Sequence, residues 1–105
     1  MSWGMALMSL SETEQTQLLT LARASIAHGL SKGHALPVKL ADYPDSLIQP
    51  RATFVTLERH GQLRGCIGML EAIRPLVEDV AENAYAAAFR DPRFPQLRDA
   101  ELADL

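Results

Sequence analysis

Residues 52–70 read ATFVTLERHGQLRGCIGML, and the fold turns on how this stretch pairs with itself. Two β-rich runs, 52–58 and 62–70, flank Arg59, His60 and Gly61, which is a hairpin signature. A two-residue loop at His60 and Gly61 sets Leu57 opposite Arg64 and mixes apolar with charged side chains on both faces. A three-residue loop with Gly61 left-handed instead sets Phe54 opposite Cys66, Thr56 opposite Arg64 and Glu58 opposite Gln62. The second register sorts the faces better and is the one expected. Val55, Leu57, Leu63, Ile67 and Met69 then share one side, while Thr56, Glu58, Gln62, Arg64 and Cys66 share the other with Phe54.

Upstream, Ser11 and Glu14 have capping-box spacing, which predicts a helix starting there. Leu18, Leu21, Ala22 and Ile26 recur at helical spacing, and Gly29 can stop the helix near His28. Residues 31–50 carry Gly33, Pro37, Pro44 and Pro50 and read as loop with one helical turn at 45–48. Downstream, Pro75 suits the first turn of a helix, and Glu78 and Asp79 suit its positive end. Leu76, Val77, Val80, Ala81, Ala84, Ala87 and Ala88 form its apolar stripe, and Asp91-Pro92 ends it. Helix, antiparallel hairpin, helix is an α+β order.

The chain has 105 residues, which allows one small domain. A net charge of −3 with no basic cluster argues against a general nucleic-acid binder. Cys66 is the single cysteine, so no internal disulfide and no multi-cysteine metal site is expected, and a reducing cytoplasm is the expected location. No apolar run approaches the ~20 residues of a membrane span. Residues 1–10 lack a basic start and a cleavage site and read as a flexible leader, with the domain over 11–105.

Chemistry concentrates at residues 63–68 and 91–94. Gly65 and Gly68 inside a strand cost packing, so they signal a bulge, a bend or close backbone approach around Cys66. Read functionally, Cys66 is a nucleophile or soft metal ligand, with Arg64 on the same face favouring thiolate and holding an anion. Read structurally, it is a small residue in a tight sheet, which the high burial of cysteine in general favours. The candidate bases are His28, His34 and His60, and none is placed by its sequence position to pair with Cys66. Arg93, between Pro92 and Phe94, can clamp a carboxylate or phosphate; pairing with Asp91 or Glu101 is the plainer reading. No phosphate loop, dinucleotide fingerprint or zinc-protease motif occurs, so no cofactor is implied.

At these residues the sequence resembles the AMMECR domain family. The LRGCIG hexapeptide at 63–68 is similar to the family's signature. FVTL at 54–57 precedes it, and an alanine-rich helix and DPRF at 91–94 follow. The helix from Ser11 also fits. Ala52 and Thr53 stand where relatives often have glycine, and the family's domain continues beyond residue 105, so the chain resembles its amino-terminal part. The resemblance implies a mixed α+β fold with the hexapeptide near a groove. It also implies work beside a Memo-like protein and a radical-SAM enzyme, and supplies no reaction. Three readings follow. One is an interaction or ligand-groove module centred on 63–68. The second is an enzyme or subunit using Cys66, with Arg64, Gly65, Gly68 and Arg93 holding a small anionic substrate. In the third the hexapeptide is purely structural. A lone hairpin leaves unpaired edges, so self-association is expected if 105 residues are the whole molecule.

Overall fold

The structure, a computed structural model, describes residues 3–5, 11–51, 53–68 and 74–105, with the side chains of 3–5 left out of the description. Strand β1 (Trp3–Met5) leads into helix α1 (Glu12–Lys32), a 3₁₀ turn at Leu40–Asp42 and the single helical turn α2 (Asp45–Ile48). The hairpin β2 (Phe54–Arg59) and β3 (Gln62–Gly68) follows, then helix α3 (Leu76–Phe89) and the short α4 (Asp99–Leu102). Ala52, Met69 and Leu70, given to strands from sequence, lie outside the described residues.

The capping box at the start of α1 forms as expected: Glu14 N–H donates to Ser11 Oγ at 3.1 Å and Ser11 N–H to Glu14 Oε1 at 3.0 Å. The expected stop at Gly29 is corrected. The helix runs on to Lys32, and Gly33 is the left-handed cap at φ 78°. Gly29 is there for a different reason. A Cβ on it would lie 2.6 Å from the Tyr85 ring and 2.7 Å from Phe89, so its small size lets α3 approach α1.

The sheet is antiparallel with order β1–β2–β3. Within the segment read as a leader, Trp3, Gly4 and Met5 pair with Leu57, Thr56 and Val55. The hairpin register differs from expectation. Arg59 pairs with Gln62 across a two-residue loop, with His60 and Gly61 at φ 54° and 76°. Two consecutive positive φ angles make the turn that matches the right-handed twist of the strands, and histidine tolerates that region better than most residues. The rejected two-residue loop would have mixed the faces. A bulge removes that fault: Glu58 pairs with Leu63, and Leu57 pairs with Gly65, leaving Arg64 as the extra residue. Thr56 then faces Cys66, Val55 faces Ile67, and Phe54 faces Gly68.

Helix α3 packs on both α1 and the hairpin, and the core lies along it. Leu18, Leu21, Ala22 and Ile26 of α1 meet Val55 and Leu57 of β2 and the whole expected stripe of α3, all buried. Asp79 and Asn83 are buried on α3 as well, which the stripe did not anticipate. Asp79 Oδ2 accepts from Thr53 N–H (3.1 Å), Thr53 Oγ1 (2.6 Å) and Asn83 Nδ2 (3.0 Å), and Oδ1 accepts from Arg74 Nε (2.7 Å). A buried carboxylate so fully satisfied ties α3 to the start of β2.

Candidate functional site

The bulge decides where the hexapeptide's side chains go. Arg64 is expected to share a face with Cys66 but turns inward instead and is 7% exposed. Its Nε and one terminal nitrogen hold the two oxygens of Glu101 at 2.8 and 3.2 Å, and that nitrogen also donates to the Pro95 carbonyl at 2.8 Å. Its other terminal nitrogen is buried and has no hydrogen-bond partner among the described residues, and its guanidinium carbon lies 5.8 Å from the centre of the Phe94 ring. Glu101 in turn is held by hydrogen bonds from Arg64 and from Arg98 N–H and by the charge of Arg59. Together these push its pKa down to about 2.

Gly65 and Gly68 are glycines for steric reasons. A Cβ on Gly65 would lie 2.0 Å from the Ala87 carbonyl oxygen, so the last turns of α3 rest directly on β3. On Gly68 it would lie 2.2 Å from the Phe54 ring, which lies across that glycine from the opposite strand.

Cys66 remains on the outer face, partly exposed, its thiol 3.5 Å from the Thr56 hydroxyl. Its backbone N–H donates to Asp91 Oδ2 at 3.0 Å. Among the described residues β3 has no further strand beside it, and Asp91 supplies an acceptor at that edge. The same carboxylate takes Arg93 Nε at 3.0 Å, an Arg93 terminal nitrogen at 2.7 Å and the Arg93 N–H at 3.1 Å. The Arg93 guanidinium, and after it the Cys66 N–H, hold the Asp91 carboxyl well below the usual carboxylate range. Arg93, with over half of its side chain in solvent, is thereby fixed beside β3 and stacked 5.5 Å from the Phe94 ring centre. Cys66 and Arg93 thus come together through Asp91 at one strand edge, with Gly68 two residues along β3 and Arg64 turned to the inner side.

None of the histidines joins them. His60 is at the turn, its Nε2 3.5 Å from Asp104. His28 and His34 contact each other edge-on with ring centres 4.8 Å apart. Among the described residues no histidine or carboxylate hydrogen-bonds the Cys66 thiol, and no group of three metal-ligating side chains occurs. Glu101 as the partner of Arg64, Thr56 as the neighbour of the thiol and the hydrogen-bonded cluster around Asp79 escaped the sequence reading. Asp79 and Asn83 had a usable signal, polar residues four apart in the phase of an apolar stripe. On either side of the partly exposed thiol, the outer face carries Phe54 and Leu63, 41% and 43% exposed.

The family described as AMMECR1 matches over residues 19–105, which takes in both motifs. A protein of Methanothermobacter thermautotrophicus is 45% identical over 98 residues, covering 91% of this chain and 50% of its own length. Protein MK0488 of Methanopyrus kandleri is 45% identical over 86 residues, covering 78% of this chain and 40% of itself. The crystal structure of the uncharacterized protein PH0010 from Pyrococcus horikoshii aligns with TM-score 0.76 at 37% identity, over 85% of this chain and 46% of that one. The chain spans about half the length of the relatives it matches. No helix among the described residues is long and apolar enough to cross a membrane.

Proposed function

Because the chain belongs to the AMMECR1 family, we propose that it is an interaction and ligand-groove module whose working surface is the outer hairpin face around residues 63–68. The observation that carries this reading is the exposure of Phe54 and Leu63, at 41% and 43%, on the face turned away from α3. Large apolar side chains on either side of a partly exposed thiol mark a contact surface better than a catalytic one, since no base among the described residues reaches Cys66. Gly68 and Arg93 border this surface, and Arg64 and Gly65 set its backbone from beneath. The partners proposed are those the family resemblance implies, a Memo-like protein and a radical-SAM enzyme.

The test is size-exclusion chromatography of the purified chain with each of those two proteins from the same organism. Co-elution with one of them is expected, and its loss in a Phe54→Asp/Leu63→Asp variant that keeps its unfolding midpoint. No complex with either protein, or a complex indifferent to the variant, overturns the proposal. The second reading makes Cys66 a thiolate nucleophile toward a small anion. Its support is the Arg93 guanidinium fixed by Asp91 at the edge where Cys66 sits. A thiol that resists alkylation until the protein is denatured removes that reading.

A further inference from the structure

A concave surface elsewhere on the molecule uses no residue of the hairpin or of the 91–94 turn. Residues 34–38, which follow the cap of α1, lie against the face of α3 that carries Glu78, Glu82 and Tyr85, and enclose a cavity of about 540 Å³. Its apolar lining includes Leu36, Val38 and the Tyr85 ring, which is anchored by its hydroxyl donating to the Gly33 carbonyl at 2.9 Å. The charges around it are uneven. Arg74 is engaged by the buried carboxylate of Asp79 at 2.7 Å, and Arg90 stacks over Tyr85 with its guanidinium carbon 5.3 Å from the ring centre. Glu78 and Glu82 make no ion pair among the described residues. Asp79 neutralises Arg74 from the interior, which leaves Glu78 and Glu82 in the lining against the one guanidinium of Arg90.

Glu78 and Glu82 are four residues apart on one helix, which puts their Cβ atoms about 5–6 Å apart, a spacing at which like charges repel. A single guanidinium or ammonium between them meets both. The opposite wall suits a peptide. Leu36 precedes Pro37 and is thereby biased to extended backbone, and Lys39 is extended at φ −94°, ψ 109°. Leu36 N–H is taken by Ser25 Oγ at 3.1 Å, while Val38 N–H and the Leu36 and Val38 carbonyls have no partner among the described residues. Main-chain groups left open beside a groove are what an added extended segment pairs with.

We propose that this groove binds an extended peptide along residues 36–38, with an arginine or lysine side chain of that peptide lying over Leu36 and ending between Glu78 and Glu82. A free organic cation would use the carboxylates and leave the backbone groups unmet.

The probe is a fluorescently labelled, end-capped pentapeptide Ser-Val-Arg-Val-Ser, titrated against the full chain by anisotropy. A Ser-Val-Glu-Val-Ser peptide and free arginine amide serve as comparators. The arginine peptide is expected to bind saturably, about tenfold or more tighter than the glutamate peptide. Its affinity is expected to fall about tenfold in a Glu78→Gln/Glu82→Gln variant. The single Glu82→Gln variant, altered only at an exposed carboxylate, moves the same way and covers the case in which the double variant is unstable. No saturable binding, equal affinity for the two peptides, an affinity unmoved by the glutamine variants, or displacement by arginine amide as effective as by peptide would each overturn the proposal.

Discussion

Phe54 and Val55 are neighbours in β2, yet the first is 41% exposed and the second fully buried; across the hairpin the same split separates Cys66 from Gly65. Alternation explains why they point apart, but the two faces are also set by different things. The inner face is dictated by α3: Val55 and Leu57 fill the core, Gly65 yields to the Ala87 carbonyl, and Arg64 is drawn down to Glu101. The outer face answers to no element among the described residues, so its composition is free to serve contact. The inner face therefore carries stability, while the contact surface proposed above lies on the outer face, and substitutions one residue apart should separate the two.

The largest effect belongs to Arg64. Arg64→Ala leaves Glu101 buried without its main partner, and breaking a buried pair in this way costs about 3–5 kcal/mol. Urea unfolding should show that loss, and a cost near zero would mean the pair is solvated and the bulge is held otherwise. The same pair makes stability fall in acid. Glu101 is ionised in the fold down to about 2 against an ordinary 4.5, so its contribution is whole above 4.5 and drains away as the pH drops toward 2. Asp91, depressed by Arg93, acts in the same direction. Unfolding midpoints measured from pH 6 down to pH 2 should decline, and more shallowly in Glu101→Gln. An equal slope in the variant would assign the acid sensitivity elsewhere.

Gly65→Ala comes next. Its methyl would meet the α3 backbone, which cannot rotate aside as a side chain can, and overpacking of this kind costs about 1–3 kcal/mol. Calorimetry of Gly65→Ala beside Gly61→Ala tells the sources of cost apart. Gly61 has open space around it but φ 76°, so that variant pays in backbone strain alone.

How much of this could be read in advance follows from the same contrast. Ser11 and Glu14 announce the start of α1 because a cap is a local device, and the apolar stripe of α3 is legible because helical period is local too. The hairpin's existence, and the outward placement of Phe54 and Cys66, also follow from local pattern. The register does not. It depends on a bulge whose stabilisers, Ala87 and Glu101, lie 22 and 37 residues from the residues they act on. Gly65 inside β3 signals an irregularity but not which residue is the extra one, so local pattern places Leu63 inside and Arg64 outside, the reverse of what forms. Gly29 misled for a related reason: a glycine that ends a helix and one that admits an aromatic ring from another helix look alike in sequence.

The smallest effect sharpens the comparison most. Leu63→Ser removes a large apolar side chain that sequence reasoning would count as core, but at 43% exposure it touches little that is buried. Surface changes of this kind stay within about ±0.5 kcal/mol, whereas Leu57→Ala on the inner face of the partner strand, fully buried, should cost about 2–5 kcal/mol. Leucine is lost in both, so the difference measures the face and not the residue type. Cys66 gives an independent reading of the same geometry: its thiol should react with iodoacetamide in native Leu63→Ser at least as fast as in the unaltered chain, because the serine uncovers that face without loosening the fold. If Leu63→Ser costs as much as Leu57→Ala, or if the thiol in both proteins reacts only once unfolded, the outer face is packed against something and the division between the two faces fails.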